Sequence, residues 1–254
     1  MAAILIAGCS NGSGSTGQGD GAPTNDIARI LGGDTGRPSP DRSDPPPPPP
    51  SPTVDIPLGD RAKDVVRAVP LEPRHWGPTY EKQEGYEEDS LARFVIGDDC
   101  TSREEGTMPG AVANLYRYTF SPTASGLEQI FAVSGATAFE DVASAKASLE
   151  KIRSDARRCP SQTLMGGARL TSVATRSHPD LADVDEALVM AAIWVDAKGE
   201  RNAPYVWVMA RKGSVVVATL AVDLKAPDVE ATEEIAFRGA TLVVKRLTEK
   251  MKEQ

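Results

Sequence analysis

Histidine is almost missing from this chain, with two in 254 residues. No Cys-x-x-Cys occurs, and no cysteine clusters with His75 or His178, so the ligand spacing of a zinc site is absent. No nucleophile elbow, phosphate-cradling glycine loop or zinc-protease helix can be read either. Basic charge is short. Against 36 Asp and Glu stand 28 Lys and Arg, a net charge of -8, which excludes the footprint of a nucleic-acid binder. Long apolar runs are also lacking, and the stretch from Ala2 to Ala7 is far shorter than the ~20 residues of a membrane-spanning helix. No Lys or Arg precedes Arg29. Nothing in this inventory calls for a metal or a cofactor.

What the start does contain is Leu5-Ile6-Ala7-Gly8-Cys9: an aliphatic residue, two small residues and a cysteine. This resembles the lipobox of bacterial lipoproteins. The resemblance implies that the Cys9 thiol accepts a diacylglyceryl group, whose two acyl chains contribute ~0.8 kcal/mol per buried CH₂ and hold the protein to a membrane. A leader peptide needs a positively charged start, so residues 1–9 are expected to be a trimmed signal segment. Residues 10–57 are rich in Gly, Ser, Asp, Thr and Pro and cannot bury enough apolar surface to offset chain entropy. They read as a disordered tether of about 40 Å reach, stiffened by the Pro45–Pro50 run as a polyproline II rod. That run reads as a spacer rather than a docking ligand. Asp34-Thr35-Gly36 matches the aspartic-protease triplet, but no second copy occurs to share the proton, so protease chemistry is set aside.

Folding signals begin at Leu58, so the third region is a domain over residues 58–254. Ala62, Val65, Val66 and Val69 recur at helical spacing until Pro70 stops them. Trp76, in a Pro-punctuated lead-in, is expected to cover an edge of the core. Leu91–Ile96, Asn114–Phe120 and Leu127–Ser134 read as strands. Thr137-Ala138-Phe139-Glu140 has the grammar of a capping box, which predicts a helix from Phe139 to about Arg158 with Val142, Ala145, Leu149, Ile152 and Ala156 as its buried stripe. A strand at Ala168–Thr175 precedes a meander of three strands, Ala187–Asp196, Pro204–Arg211 and Ser214–Leu224. A final helix to about Lys252 is expected to pack through Ile235, Leu242, Val243, Leu247 and Met251. The fold class is therefore α+β: an antiparallel sheet with helices packed on it.

With Cys9 lipidated, Cys100 and Cys159 are left as an even pair, most simply a disulfide in an exported protein. Cys159 continues the helical stripe toward the sheet, where Cys100 at a strand end can meet it. Such a bridge closes a loop of about 60 residues and contributes roughly 4 kcal/mol in the chain-entropy treatment. The order of elements resembles the PknH-type extracellular sensor domains of mycobacterial serine/threonine kinases, with Cys100 and Cys159 at the helix-to-strand disulfide. The family's second disulfide has no counterpart here. The resemblance covers about Leu58 to Gln254. It implies a sensor or binding role, an actinobacterial source and no catalytic residues.

The ligand-facing candidates are aromatic: Tyr116, Tyr118, Phe120, Trp194, Tyr205 and Trp207, on strands that can share one sheet face. They suit a groove for a cell-wall fragment or small molecule, and equally a core beneath the helices. His178 with Asp180, Asp183 and Asp185 reads as a solvated acidic loop rather than a metal site. The resulting expectation is a non-enzymatic, lipid-anchored binding or sensor domain on the outer face of the cytoplasmic membrane. One alternative is a cell-wall hydrolase using Asp98, Asp99 and Glu104 as converging carboxylates. The other is a structural envelope protein binding a partner through an exposed sheet face. The oligomeric state stays open.

Overall fold

Strand residues dictate most of this molecule, because β-branched and apolar side chains crowd the stretches between its turns. The structure, a computed structural model, describes residues 60–122, 128–178, 181–224 and 228–253. Cys9, the tether, the Pro45–Pro50 run, Asp34-Thr35-Gly36, residues 123–127 with Leu127 among them, and Pro179-Asp180 lie outside these residues. The described elements are α1 (Asp60–Ala68), α2 (Pro73–Trp76), β1 (Glu81–Glu88), β2 (Ala92–Ile96), β3 (Ser102–Thr107), β4 (Ala111–Pro122), β5 (Glu128–Phe139), α3 (Val142–Arg158), β6 (Gln162–Thr163), β7 (Arg169–Ser177), β8 (Glu186–Val195), β9 (Asn202–Lys212), β10 (Val215–Asp223) and α4 (Val229–Lys252).

Eight strands form one antiparallel sheet in the order β1-β4-β5-β10-β9-β8-β7-β6, and β2 and β3 form a separate hairpin. The α+β expectation therefore holds for the described residues. The meander β8-β9-β10 lies at and beside the sheet centre, and Gly213, with φ 58°, makes the left-handed turn between β9 and β10.

Successive side chains leave a strand on opposite faces, so the sheet has two cores. On one face lie small residues such as Ala136, Val206, Val208, Val217 and Ala221. They are covered by α1, by Trp76 and by α4. On the other face lie large ones: Phe131, Phe139, Trp194, Tyr205, Trp207 and Met209. They are covered by α3 and by the β2–β3 hairpin.

Five points differ from expectation. Thr137-Ala138-Phe139 is not a capping box but the end of β5. Thr137 and Ala138 pair with β4 on one side and with Val216 and Val215 of β10 on the other, and two ladders outweigh one local cap. The N-cap of α3 is Asp141, whose side chain accepts from the Ser144 amide at 2.7 Å. Val142, expected in the stripe, is only half-buried. The packing face of α4 keeps Val243, Leu247 and Met251 as expected but is extended onto Ala236, Gly239 and Ala240, with Ile235 and Leu242 on its flanks. Trp76 is 3% exposed and sits inside the core, because a Cβ on Gly239 would lie 2.5 Å from its ring. Finally, β1 and β3 escape a reading based on apolar residues. Glu81–Glu88 is mostly charged, as suits a solvated edge strand.

Candidate functional site

The second core is incompletely filled, and the reason lies in how its roof is attached. Cys100, at the tip of the β2–β3 hairpin, is bonded to Cys159, the C-cap of α3, with their Cα atoms 5.5 Å apart. Arg158 adds two bonds, donating to the carbonyls of Ile96 and Gly97 at 2.6 Å each. The Thr163 amide donates to the Cys100 carbonyl at 2.9 Å. All of these fasten the tip of the hairpin. Its base, with Arg93, Phe94, Met108 and Pro109, overhangs the sheet beside the opposite end of α3.

Under this overhang lies a cleft of about 320 Å³. Its floor is Tyr116, Phe139, Trp207, Met209 and Val216, and its helix wall is Ser144, Ala147, Ser148, Lys151 and Ile152. An inner pocket of about 60 Å³ adjoins it and shares Phe94, Tyr116, Trp207 and Ala218 as walls. Gly135 lets Tyr116 lie flat across β5, since a Cβ there would sit 2.3 Å from the ring.

The sequence-derived aromatic set is brought together here. Tyr116, Tyr118, Trp194, Tyr205 and Trp207 all line the inner pocket, whereas Phe120 does not. All but Tyr116 are also buried in the core. They are at once core and floor, so the two readings offered above do not exclude each other. Arg93, Phe94, Met108 and Lys151 escaped sequence reasoning. The signal was available in part: a Cys100–Cys159 bond obliges the strand before Cys100 to lie over the α3 side of the sheet.

The floor is protonated and uncharged. Burial pushes the Tyr116 phenol up to about 12, only partly offset by its hydrogen bond with Thr137. Burial also raises Tyr118, which donates to Glu88 Oε2 at 2.5 Å, and Tyr205. The Trp194 indole N–H is buried without an acceptor among the described residues, a deficit of ~1–3 kcal/mol that a bound acceptor would offset. At the mouth, Lys151 contacts both carboxylate oxygens of Asp155 at 2.6 Å.

No family model and no curated protein matches the chain. Among solved structures it is similar to the extracellular domain of PknH from Mycobacterium tuberculosis, with a TM-score of 0.49 and 11% identity over 79% of this chain and 100% of that one. A likeness of that size carries no residue role across.

Other candidates fall elsewhere. Asp98 and Asp99 occupy the exposed hairpin turn, where Asp98 lies 3.6 Å from Arg158 and Asp99 accepts from the Thr101 amide at 3.1 Å; Glu104 is exposed on β3. None of the three lines the cleft. His75 accepts from the Glu72 amide through Nδ1 at 2.9 Å, and burial, then Arg246, lowers its pKa. His178 meets the Phe237 ring edge-on, with centroids 4.4 Å apart. Asp185 is engaged by Arg211 at 2.7 Å. Among the described residues no group of three or more His, Cys, Asp or Glu is placed to hold a metal, and no helix is long and apolar enough to cross a membrane.

Proposed function

We propose that the chain is a non-catalytic, sensor-type binding domain, held at the outer face of the cytoplasmic membrane by lipid on Cys9, whose ligand occupies the cleft beneath α3. The observation that carries the binding part is the cleft itself. Its volume of about 320 Å³ falls within the ~300–1,000 Å³ of small-ligand sites, and its apolar lining with a few polar groups is their usual character. A pairing of Cys100 with Cys159 suits an oxidising compartment. The anchor rests on the lipobox grammar of Leu5–Cys9. The hydrolase alternative is disfavoured because its three carboxylates do not converge on a cleft.

Two measurements test the proposal. Cys9→Ser should move the protein from the membrane fraction to the soluble fraction; a substituted protein that still pellets with membranes refutes the anchor. Ala147 is exposed on α3 and lines the cleft, so Ala147→Trp should fold normally and fill it. Solvent extracts of the native protein should contain a small molecule that extracts of Ala147→Trp lack. Identical extracts would refute the cleft as the binding site.

A further inference from the structure

Charge at the cleft runs against charge in the protein as a whole. The chain carries a net -8, yet the cleft and its inner pocket are lined by Arg93 and Lys151 and by no Asp or Glu. Lys151 is paired with Asp155 at 2.6 Å, a carboxylate it shares with Arg158 at 3.1 Å. Arg93 forms no ion pair among the described residues, although it is half-buried beside Phe94. A guanidinium binds a carboxylate through two parallel hydrogen bonds, and does so most strongly where water is partly excluded. Beyond it the walls turn apolar at once: Phe94, Met108, Phe139, Trp207 and Met209. Methionine side chains adapt to irregular, flexible hydrocarbon.

We infer that the cleft selects a fatty-acid anion, its carboxylate on Arg93 and its chain running along Trp207 and Met209 toward the inner pocket. This rests on the binding reading above and narrows it. The tyrosine floor is itself neutral, and the Glu88 carboxylate that acts on it is bonded by the Tyr118 hydroxyl at 2.5 Å. Ser148 on the α3 wall adds a hydroxyl to the cleft without adding charge, whereas the Ser144 hydroxyl is engaged by the Asp141 carboxylate. A neutral alcohol of the same chain would fill the same walls and leave the guanidinium without an anion.

The test uses the full chain, titrated calorimetrically with dodecanoate and with dodecanol below their aggregation limits. Dodecanoate should bind at least tenfold more tightly than dodecanol. Arg93→Gln should erase that preference by weakening dodecanoate at least tenfold, and Ala147→Trp should abolish binding of both. Equal binding of the two probes, or a preference that survives Arg93→Gln, overturns the fatty-acid assignment and leaves the cleft standing as an apolar site. Binding of neither probe, or binding that survives Ala147→Trp, overturns the cleft reading as well. Thermal unfolding of each variant, expected within a few degrees of the parent, keeps loss of fold apart from loss of binding.

Discussion

The two faces of the sheet use the same device to opposite ends. Each sets a large aromatic ring on a glycine. Trp76 lies against Gly239 of α4, fully enclosed; Tyr116 lies across Gly135 of β5, half-buried with the cleft above it. On the first face small residues let a helix come close, and Trp76 is enclosed between α4 and the sheet. On the second, rings and methionines hold α3 and the hairpin away, and a space of about 320 Å³ remains. Close packing is what makes a protein interior rigid. A face that keeps a cleft gives some of it up, and the roof over that space is held by a disulfide and Arg158 rather than by packing alone.

That contrast can be broken. The largest effect is expected from Cys159→Ala, which frees the hairpin tip and should cost about 4 kcal/mol in the chain-entropy treatment. Hydrogen exchange should quicken in β2 and β3 and stay slow in β9 and β10; uniform quickening would mean that the hairpin is part of the common core. Next, Gly239→Ala and Gly135→Ala both press a methyl into a ring. Overpacking of an enclosed site costs up to ~3 kcal/mol, whereas a ring with open space beside it yields for ~1 kcal/mol. Denaturant titration should rank Gly239→Ala as the worse of the two, and the reverse order would mean that the cleft is as tightly packed as the opposite face. A smaller effect concerns pH. The folded phenol of Tyr116 ionises near 12 against an ordinary value of 10, so its contribution is present below pH 10 and is lost as pH rises through about 12. Tyr116→Phe should flatten that alkaline decline. The smallest effect is Ala147→Trp, expected within ~0.5 kcal/mol of the parent because the position is exposed.

Individual residues differ in how openly they declare their place in the fold. Val215 to Val222, apolar at every position but Thr219, can only be a strand covered on both sides, and it lies at the middle of the sheet. Glu81–Glu88 gives no such sign, because an edge strand owes its conformation to a ladder with β4 and not to its own side chains. Thr137 to Glu140 signals a helix start locally, yet β4 and β10 claim the residues up to Phe139. For the site, five aromatic positions were legible from alternation alone. Arg93 and Met108 were not, since a strand does not declare which surface it will overhang.

The alternation of side chains along β5, β8 and β9 was decided by the amino-acid order alone: period two puts small residues on one face and rings and methionines on the other before any fold exists. So was the presence of a lone pair of cysteines after Cys9. What only the assembled molecule decided is the empty volume between those rings and α3. Packing space depends on how far apart non-local elements come to rest, and that distance is a balance among contacts that no single stretch of chain contains.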